Sequence, residues 1–483
     1  MAKVCAVVLN TISRDARVLK EAESLQLAGH EVTLLGVTDC TNTMKMEALA
    51  NGVNIRRLDI GAMKKAASLF LNALAKTGIL MLIGALFFAP IEHAVGLIII
   101  TALVITSAII LNQLGRVLHQ IKMVLEFDER SDNQKKITFK RCFSFVNYLS
   151  NGIVNKLSGL VRLFTMYLVV RRMHPDILHC HDIHTLPIGI LAKLTMSCIV
   201  VYDAHEIYEE VAQGTSRRAR SFKRIHRLGQ RYVDAFITIN DSIATWYSEH
   251  YPQMPKAIVI KNATKIAGLI EYDGRLHHAA GLPSLRKILL YQGGFSTKRG
   301  LEYLIESARY LNPEWALVMM GWGSLEPRLR EVAREVNQYH LDQGHPEVVV
   351  FIPPAPQKDL PLWTAGGTVG IIPYEKIGLN HWFCTPNKLW EYPNANLPVL
   401  VSPFPELSRP VLEHGHGWLL PENQEPRKLA ELINSLKDTQ IQTAKNSCAN
   451  FMKADSWNIY ETRLVELYAS LLKETRSVPC PNV

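Results

Sequence analysis

The sequence predicts an α/β protein with two doubly wound, parallel-sheet domains facing across a cleft, and three observations carry that expectation. At 483 residues the chain is too long for one hydrophobic core. Short apolar runs suited to buried parallel strands alternate with stretches of helical period over residues 1 to 60. The same alternation restarts near residue 287 and continues to about 401.

In chain order, Val4 to Leu9 reads as the first strand, and Asp15 to Ala28 as a helix with Val18, Ala22 and Leu25 on one face, stopped by Gly29. Glu31 to Leu35 is the next strand, so the intervening loop, Asn10 to Arg14, falls at a strand's carboxyl end, where such sheets bind ligands.

Two apolar runs, Ile79 to Ile91 and Ala94 to Leu111, then interrupt the pattern, with Glu92 as the one charge between them. Their composition predicts a membrane hairpin over Gly78 to Leu114. Residues 1 to 60 and 174 onwards are expected to complete one sheet, so the insertion must leave the membrane on the side it entered, as two crossings or a re-entrant hairpin. Lys64, Lys65, Lys76, Arg116 and Lys122 flank it, and no Lys or Arg occupies its turn, which places both flanks on the cytoplasmic side. The alternative is a hairpin buried in the soluble core. Residues 139–173 mix aromatic and basic side chains and read as interfacial helices, or as domain helices leading into the strand Asp176 to Cys180.

Ser197 to Asp203 is another buried strand, ending at Asp203, Ala204, His205 and Glu206. A helix rich in arginine follows (Arg217 to Arg231), either a solvated face or a site for a diphosphate or anionic lipid. Further strands are expected at Ala235 to Ile239 and Ala257 to Ile260, then a polar linker to about residue 285. The second domain repeats strand and helix from Lys287 to Thr385–Val401, TPNKLWEYPNANLPVLV, which reads as polar loop, short helix and buried strand. Pro386 suits a first helical position, which puts Asn387 and Lys388 in the first turn and Glu391 one turn later. A lysine with free amides suits phosphates, and a carboxylate suits a ribose diol.

The formal charge of +9, from 53 basic and 44 acidic residues, favours anionic partners and gives nucleic acid no specific motif. Eight cysteines with no CxxC pair fit free thiols in a reducing compartment, and the run Val4 to Asn10 is too short for the apolar region of a signal peptide and fits a buried first strand. His179, Cys180, His181, Asp182 and His184 invite a metal reading, but no second ligand group, zinc spacing or D-x-D motif accompanies them, so no metal is expected.

PNKLWEYPNANLPVL resembles the P-N-K-hydrophobic-hydrophobic-E-Y stretch of family 4 glycosyltransferases with the GT-B fold. Tyr291 to Ser307 resembles that family's strand, glycine loop and basic residue before glycine, and the opening strand and helix resemble its start. Similarity extends piecemeal over residues 1 to 60 and 174 to 475. It implies domains at 1–275 and 286–450, with a final helix at 451–475 crossing back onto the first.

The resemblance places the donor site in the second domain. It assigns Arg299, with Lys298 beside it, to the donor diphosphate; Gly321 and Gly323 to a turn near the nucleoside; and Glu391 to the ribose. Thr385, Asn387, Lys388 and Gly294 complete the expected donor site, and His205 is the expected catalytic-side group of the first domain. The family retains anomeric configuration and requires no cofactor beyond its nucleoside diphosphate sugar. This chain departs from it in three places: the first loop lacks glycines, Gly294 stands where relatives carry a second basic residue, and Phe383 stands where they carry the first glutamate of an E-x7-E pair. Lys298 or Lys388 is the expected substitute for the former and His381 for the latter. Together these features imply membrane-associated hexosyl transfer to a lipid-linked or membrane-borne acceptor. The rival is a catalytically silent GT-B scaffold or partner subunit.

Overall fold

A computed structural model describes residues 1–13, 15–59, 61, 159–211, 217–268 and 270–477. The expected hairpin (78–114) and the first part of the expected interfacial stretch (139–158) lie outside the described residues, as does Arg14 of the first loop. Among the described residues no helix is long and apolar enough to cross a membrane.

The first domain is an eight-stranded sheet. Its strands are β1 (Lys3–Val7), β2 (Glu31–Val37), β3 (Met46–Ala48), β4 (Asn54–Leu58), β5 (Ile177–His181), β6 (Ile199–Ala204), β7 (Ala235–Thr238) and β8 (Ala257–Val259), in the order β3-β4-β2-β1-β5-β6-β7-β8. Only β3 pairs antiparallel, on β4; neither strand is evident in the sequence, being short and half polar. Alternate residues of the central strands feed two cores. Val4, Ala6, Ile177 and Val201 pack on the helix Ala16–Leu27 and the final helix, whereas Cys5, Val7, Leu178 and Tyr202 pack on helices carrying Tyr167, Leu186 and Phe222. The helix Ala16–Leu27 starts where the Asp15 side chain accepts from the Val18 amide and stops before Gly29, whose φ of 88° is open to glycine.

The second sheet is wholly parallel: β9 (Lys287–Gly294), β10 (Trp315–Trp322), β11 (Val349–Ile352), β12 (Val369–Ile372), β13 (Val399–Val401) and β14 (Gly417–Leu419), ordered β11-β10-β9-β12-β13-β14. Between the sheets the chain is not a featureless linker. A helix, Arg275–Ala280, buries Leu276, and Gly366 lies so close that a Cβ there would meet Leu276 and Tyr272. The final helix, Trp457–Ser477, returns to the first domain: Trp457 Nε1 donates to Ser24 Oγ (3.2 Å), and Tyr468 OH lies 2.7 Å from His179 Nδ1.

A tight turn joins β9 to the helix Leu301–Ala308. Gly300 has φ +65°, and a Cβ there would sit 2.0 Å from the Pro373 carbonyl oxygen. Gly300→Ala is therefore expected to cost about 3 kcal/mol or more, read as a lowered thermal midpoint by circular dichroism. An unchanged midpoint would show that the Pro373 loop yields.

Candidate active site

The carboxyl ends of the two sheets face one another, and two cavities meet between them. The first, of about 460 Å³, is lined from the first domain by His205, Glu206 and Glu210, and from the second by Lys298, Arg299, His381, Phe383 and Thr385. The second, of about 390 Å³, lies in the second domain against Gln292, Gly293, Trp322, Gln357, Asn387, Lys388 and Glu391. Arg299, Tyr374 and Pro386 line both, so the cavities join there.

Strand β6 carries the first-domain charge. Asp203, its penultimate residue, is fully buried and takes a two-pronged ion pair from Arg17, whose Nε and Nη2 lie 2.9 Å from the two carboxylate oxygens. Arg17 also reaches the Ile260 carbonyl (2.7 Å) and Glu21 (3.0 Å). Burial alone would raise the Asp203 carboxyl, but Arg17 and His205 hold it well below the ordinary range.

His205 follows at the strand end. Its Nε2 lies 2.9 Å from Asp203 Oδ2, and its Nδ1 lies 3.3 Å from Asp182 Oδ1. Burial would depress the imidazole, but the carboxylates of Asp203 and Asp182 outweigh it and push the pKa up to about 9. His205 is therefore an imidazolium at neutral pH, a hydrogen-bond donor unable to accept a proton.

The metal question changes once the chain is folded. Glu21 and Asp203 join His179 and His181, so that ligand atoms from all four residues lie within 4.8 Å. The second ligand group that the sequence lacked comes from a distant helix and strand. Arg17 already binds both carboxylates, however, and burial keeps His179 neutral, with its ring stacked on His181 at 4.1 Å. A divalent ion would have to displace a guanidinium held by two carboxylates and a carbonyl.

In the second domain the short helix Lys388–Asn394 starts two residues later than the sequence suggested, with Pro386 outside it and Asn387 as its cap. Asn387 makes no side-chain cap; its Oδ1 accepts from Asn262 Nδ2 of the first domain (3.0 Å). Lys388 turns inward beneath the glycine loop, with Nζ 3.0 Å from where a Gly293 Cβ would lie and 3.4 Å from Tyr374 OH. Burial, then repulsion from Arg299, lowers its pKa to about 8. Glu391 accepts from Gln292 Nε2 (2.9 Å), and Gln292 is itself fixed by the Thr364 hydroxyl (2.7 Å). Burial raises the Glu391 carboxyl, opposed by Lys388 and Gln292. Arg299 is held by Ser296 Oγ (3.0 Å) and by the Tyr374 ring, 4.5 Å from its guanidinium carbon.

The remaining expected residues divide. Thr385 lines the shared cleft, and its hydroxyl is buried with no hydrogen-bond partner. Lys298 lines it too, in a left-handed conformation at φ 71°. Gly294, Gly321 and Gly323 line neither cavity; Cβ atoms on Gly321 and Gly323 would lie 1.9 Å from Gly293 O and 2.1 Å from Phe295 O, so those two glycines serve backbone packing between β9 and β10. Phe383 packs on the first domain's core, and its carbonyl accepts from Asn240 Nδ2 (2.7 Å). Sequence reasoning missed Arg17, Gln292 and Tyr374 and took Asp182 only as a metal candidate; of the three missed, Gln292 had a local signal, standing directly before the Gly293–Gly294 turn.

Two family signatures match, one in each half: Glycosyltransferase Family 4 over residues 111–266 and Glycosyl transferases group 1 over residues 286–438. The chain is a GT-B glycosyltransferase. This glycosyltransferase is 23% identical over 354 residues to the D-inositol 3-phosphate glycosyltransferase of Thermobispora bispora, covering 68% of this chain and 78% of that one. Sucrose-phosphate synthase from Thermosynechococcus elongatus superposes with a TM-score of 0.64 at 14% identity, covering 98% of this chain and 100% of that one. HepE from Anabaena, in complex with UDP and glucose, gives 0.57 at 13% identity, covering 97% and 100%.

Proposed function

We propose that this glycosyltransferase moves a hexose from a nucleoside diphosphate sugar to a lipid-linked or membrane-borne acceptor, with retention at the anomeric carbon and its domains on the cytoplasmic face of a membrane. One observation carries the donor half of this reading: a second-domain cavity that holds Glu391 and Lys388 opens through Arg299 into a cleft bounded by His205. Glu391 suits the ribose diol, Arg299 and Lys388 the diphosphate, and Trp322 and Gln357 the base end. Structures of the Anabaena relative with UDP-glucose support the donor class.

Lys388 takes the place of the basic residue missing at Gly294, because its Nζ lies against the neighbouring Gly293. His381 stands in for the glutamate absent at Phe383. It lines the cleft, its buried Nδ1 has no hydrogen-bond partner, and burial followed by the charges of Arg299 and Lys298 keeps it neutral, fit to bind a sugar hydroxyl. In the transfer step Arg299 and Lys388 stabilise charge on the departing diphosphate, while the His205 imidazolium, held between Asp203 and Asp182, sets a positive charge beside the sugar or an anionic acceptor. No metal enters this reading. The membrane half rests on the apolar runs at 78–114 and their cationic flanks.

A silent scaffold is the second reading, favoured by the packing of Phe383 onto the first domain in place of an acid facing the sugar. Purified full-length chain incubated with UDP-hexoses and membrane lipid extract distinguishes the two. Release of UDP coupled to a glycosylated lipid supports transfer, whereas nucleotide binding without turnover across the donor panel supports the scaffold.

A further inference from the structure

Three neighbouring helices on the same side of the first sheet leave an unusual surface exposed. Residues 159–173 are helical and abut the helix Leu186–Thr195, where Tyr167 OH lies 2.7 Å from Thr195 Oγ1. That helix abuts Arg217–Gly229, whose Gly229 packs on Leu186 and Ile190. All three bury their inner faces in one core, through Met166 and Val170, Leu186 and Ile188, and Phe222.

Their outer faces are apolar and cationic together. Leu160, Phe164 and Leu168 form a stripe at helical spacing, 63%, 56% and 38% exposed, and Leu191, Leu194 and Leu228 continue it at 38%, 60% and 67%. The three segments carry three, one and six Lys or Arg residues and no Asp or Glu. Arg171, Arg172, Lys223, Arg224 and Arg227 are exposed. An ordinary solvated face does not maintain six large exposed apolar side chains among cations, and exposed apolar groups collected on one side mark a contact surface.

We infer that this face lies on a membrane rich in anionic lipid. Charge selects the occupant: Lys193 is paired with Asp234 (2.7 Å), but the exposed cations Arg171, Arg172, Lys223, Arg224 and Arg227 match phosphate headgroups, and the leucine and phenylalanine stripe has apolar depth to enter, which a nucleic-acid backbone does not offer. Chain order agrees with the same choice, since the helix 159–173 follows the two long apolar runs in the sequence, with residues 112–158 between them. The inference deepens the reading of a membrane-borne acceptor and names a second contact, formed by the folded domain itself.

The test uses the full-length chain in proteoliposomes, so that any anchoring by residues 78–114 is common to every arm. A fluorophore is attached at Leu194→Cys, with Cys40→Ser to remove an exposed thiol and the parent without the introduced cysteine as background. A second label at Leu412→Cys, exposed on the second domain, is the control. Brominated phosphatidylglycerol is expected to quench the Leu194→Cys label and spare the control, with far weaker quenching in brominated phosphatidylcholine. Adding K223E, R224E and R227E should reduce the bound population of this face about a hundredfold or more, at roughly fivefold per basic residue removed. Absence of quenching in phosphatidylglycerol overturns the inference even if the protein stays with the vesicles, and equal quenching in both lipids overturns its electrostatic basis. UDP affinity measured on the same preparations separates this outcome from failure of the transfer reading, because none of the labelled or substituted residues lines the nucleotide cavity.

Discussion

Arg299→Ala and Lys388→Met are each expected to weaken nucleoside diphosphate binding by about tenfold or more, with opposite effects on stability. Arg299 is satisfied in the folded protein by Ser296 and the Tyr374 ring, so its loss removes native contacts as well as a phosphate partner. Lys388 is different. It is buried under the glycine loop, pressed by Arg299, and its pKa has fallen to about 8, so folding works against its charge. Replacing it with an apolar side chain of similar length should hold or raise the thermal midpoint while nucleotide affinity falls, the pattern of a group retained for binding at the expense of stability.

The pH dependence has a definite sign. The Lys388 pKa is lowered on folding, so the protonated form binds phosphate below about pH 8 and affinity declines as pH rises through that value. Lys388→Met should abolish that step. Calorimetric titration of UDP between pH 6.5 and 9 checks both statements; wild-type affinity in both variants would remove the diphosphate from this end of the cavity.

What was legible in the sequence was local, and what was not depends on topology. Glu391 and Lys388 share one short helix, and Arg299 sits beside a glycine turn, so their types and spacing carry the donor site within a few residues each. The first-domain site is assembled differently. Arg17 and Asp203 are 186 positions apart, and Tyr468 and His179 are 289 apart; only the parallel register of β1, β5 and β6 brings their elements together. No periodicity within either segment could pair them. The glycines show the converse. Gly321 was noticed as a motif residue, but its backbone role follows from its register opposite Gly293 on the neighbouring strand. Phe383 was visible as a departure from the family pattern, whereas its reason, packing on the opposite domain, required the cleft itself.

His205→Asn is expected to lower turnover about 10- to 100-fold while UDP affinity stays within about twofold. The histidine lies across the cleft from the nucleotide cavity and touches none of Glu391, Lys388 or Arg299 through any hydrogen bond, so its contribution belongs to the reacting sugar or acceptor. A charged donor lost from such a site costs on the order of 1.5 to 3 kcal/mol, which sets the range of rates, and a group that acts mainly in the transition state alters kcat more than ground-state affinity. Asparagine preserves a neutral donor but cannot carry the imidazolium charge. Its pH profile is therefore informative: wild-type turnover should fall as pH rises through about 9, where His205 loses its proton, and the variant should lack that descent. Stability follows the same group. Because the folded pKa is raised above the ordinary value of about 6.5, the stabilisation from His205 is complete below about pH 6.5 and disappears as pH rises through about 9. Wild type and variant should then differ in thermal midpoint at pH 6 and converge near pH 9.5. Lower stability at pH 6 with turnover per folded molecule unchanged would make His205 a structural partner of Asp203 and Asp182, and would remove it from the chemistry.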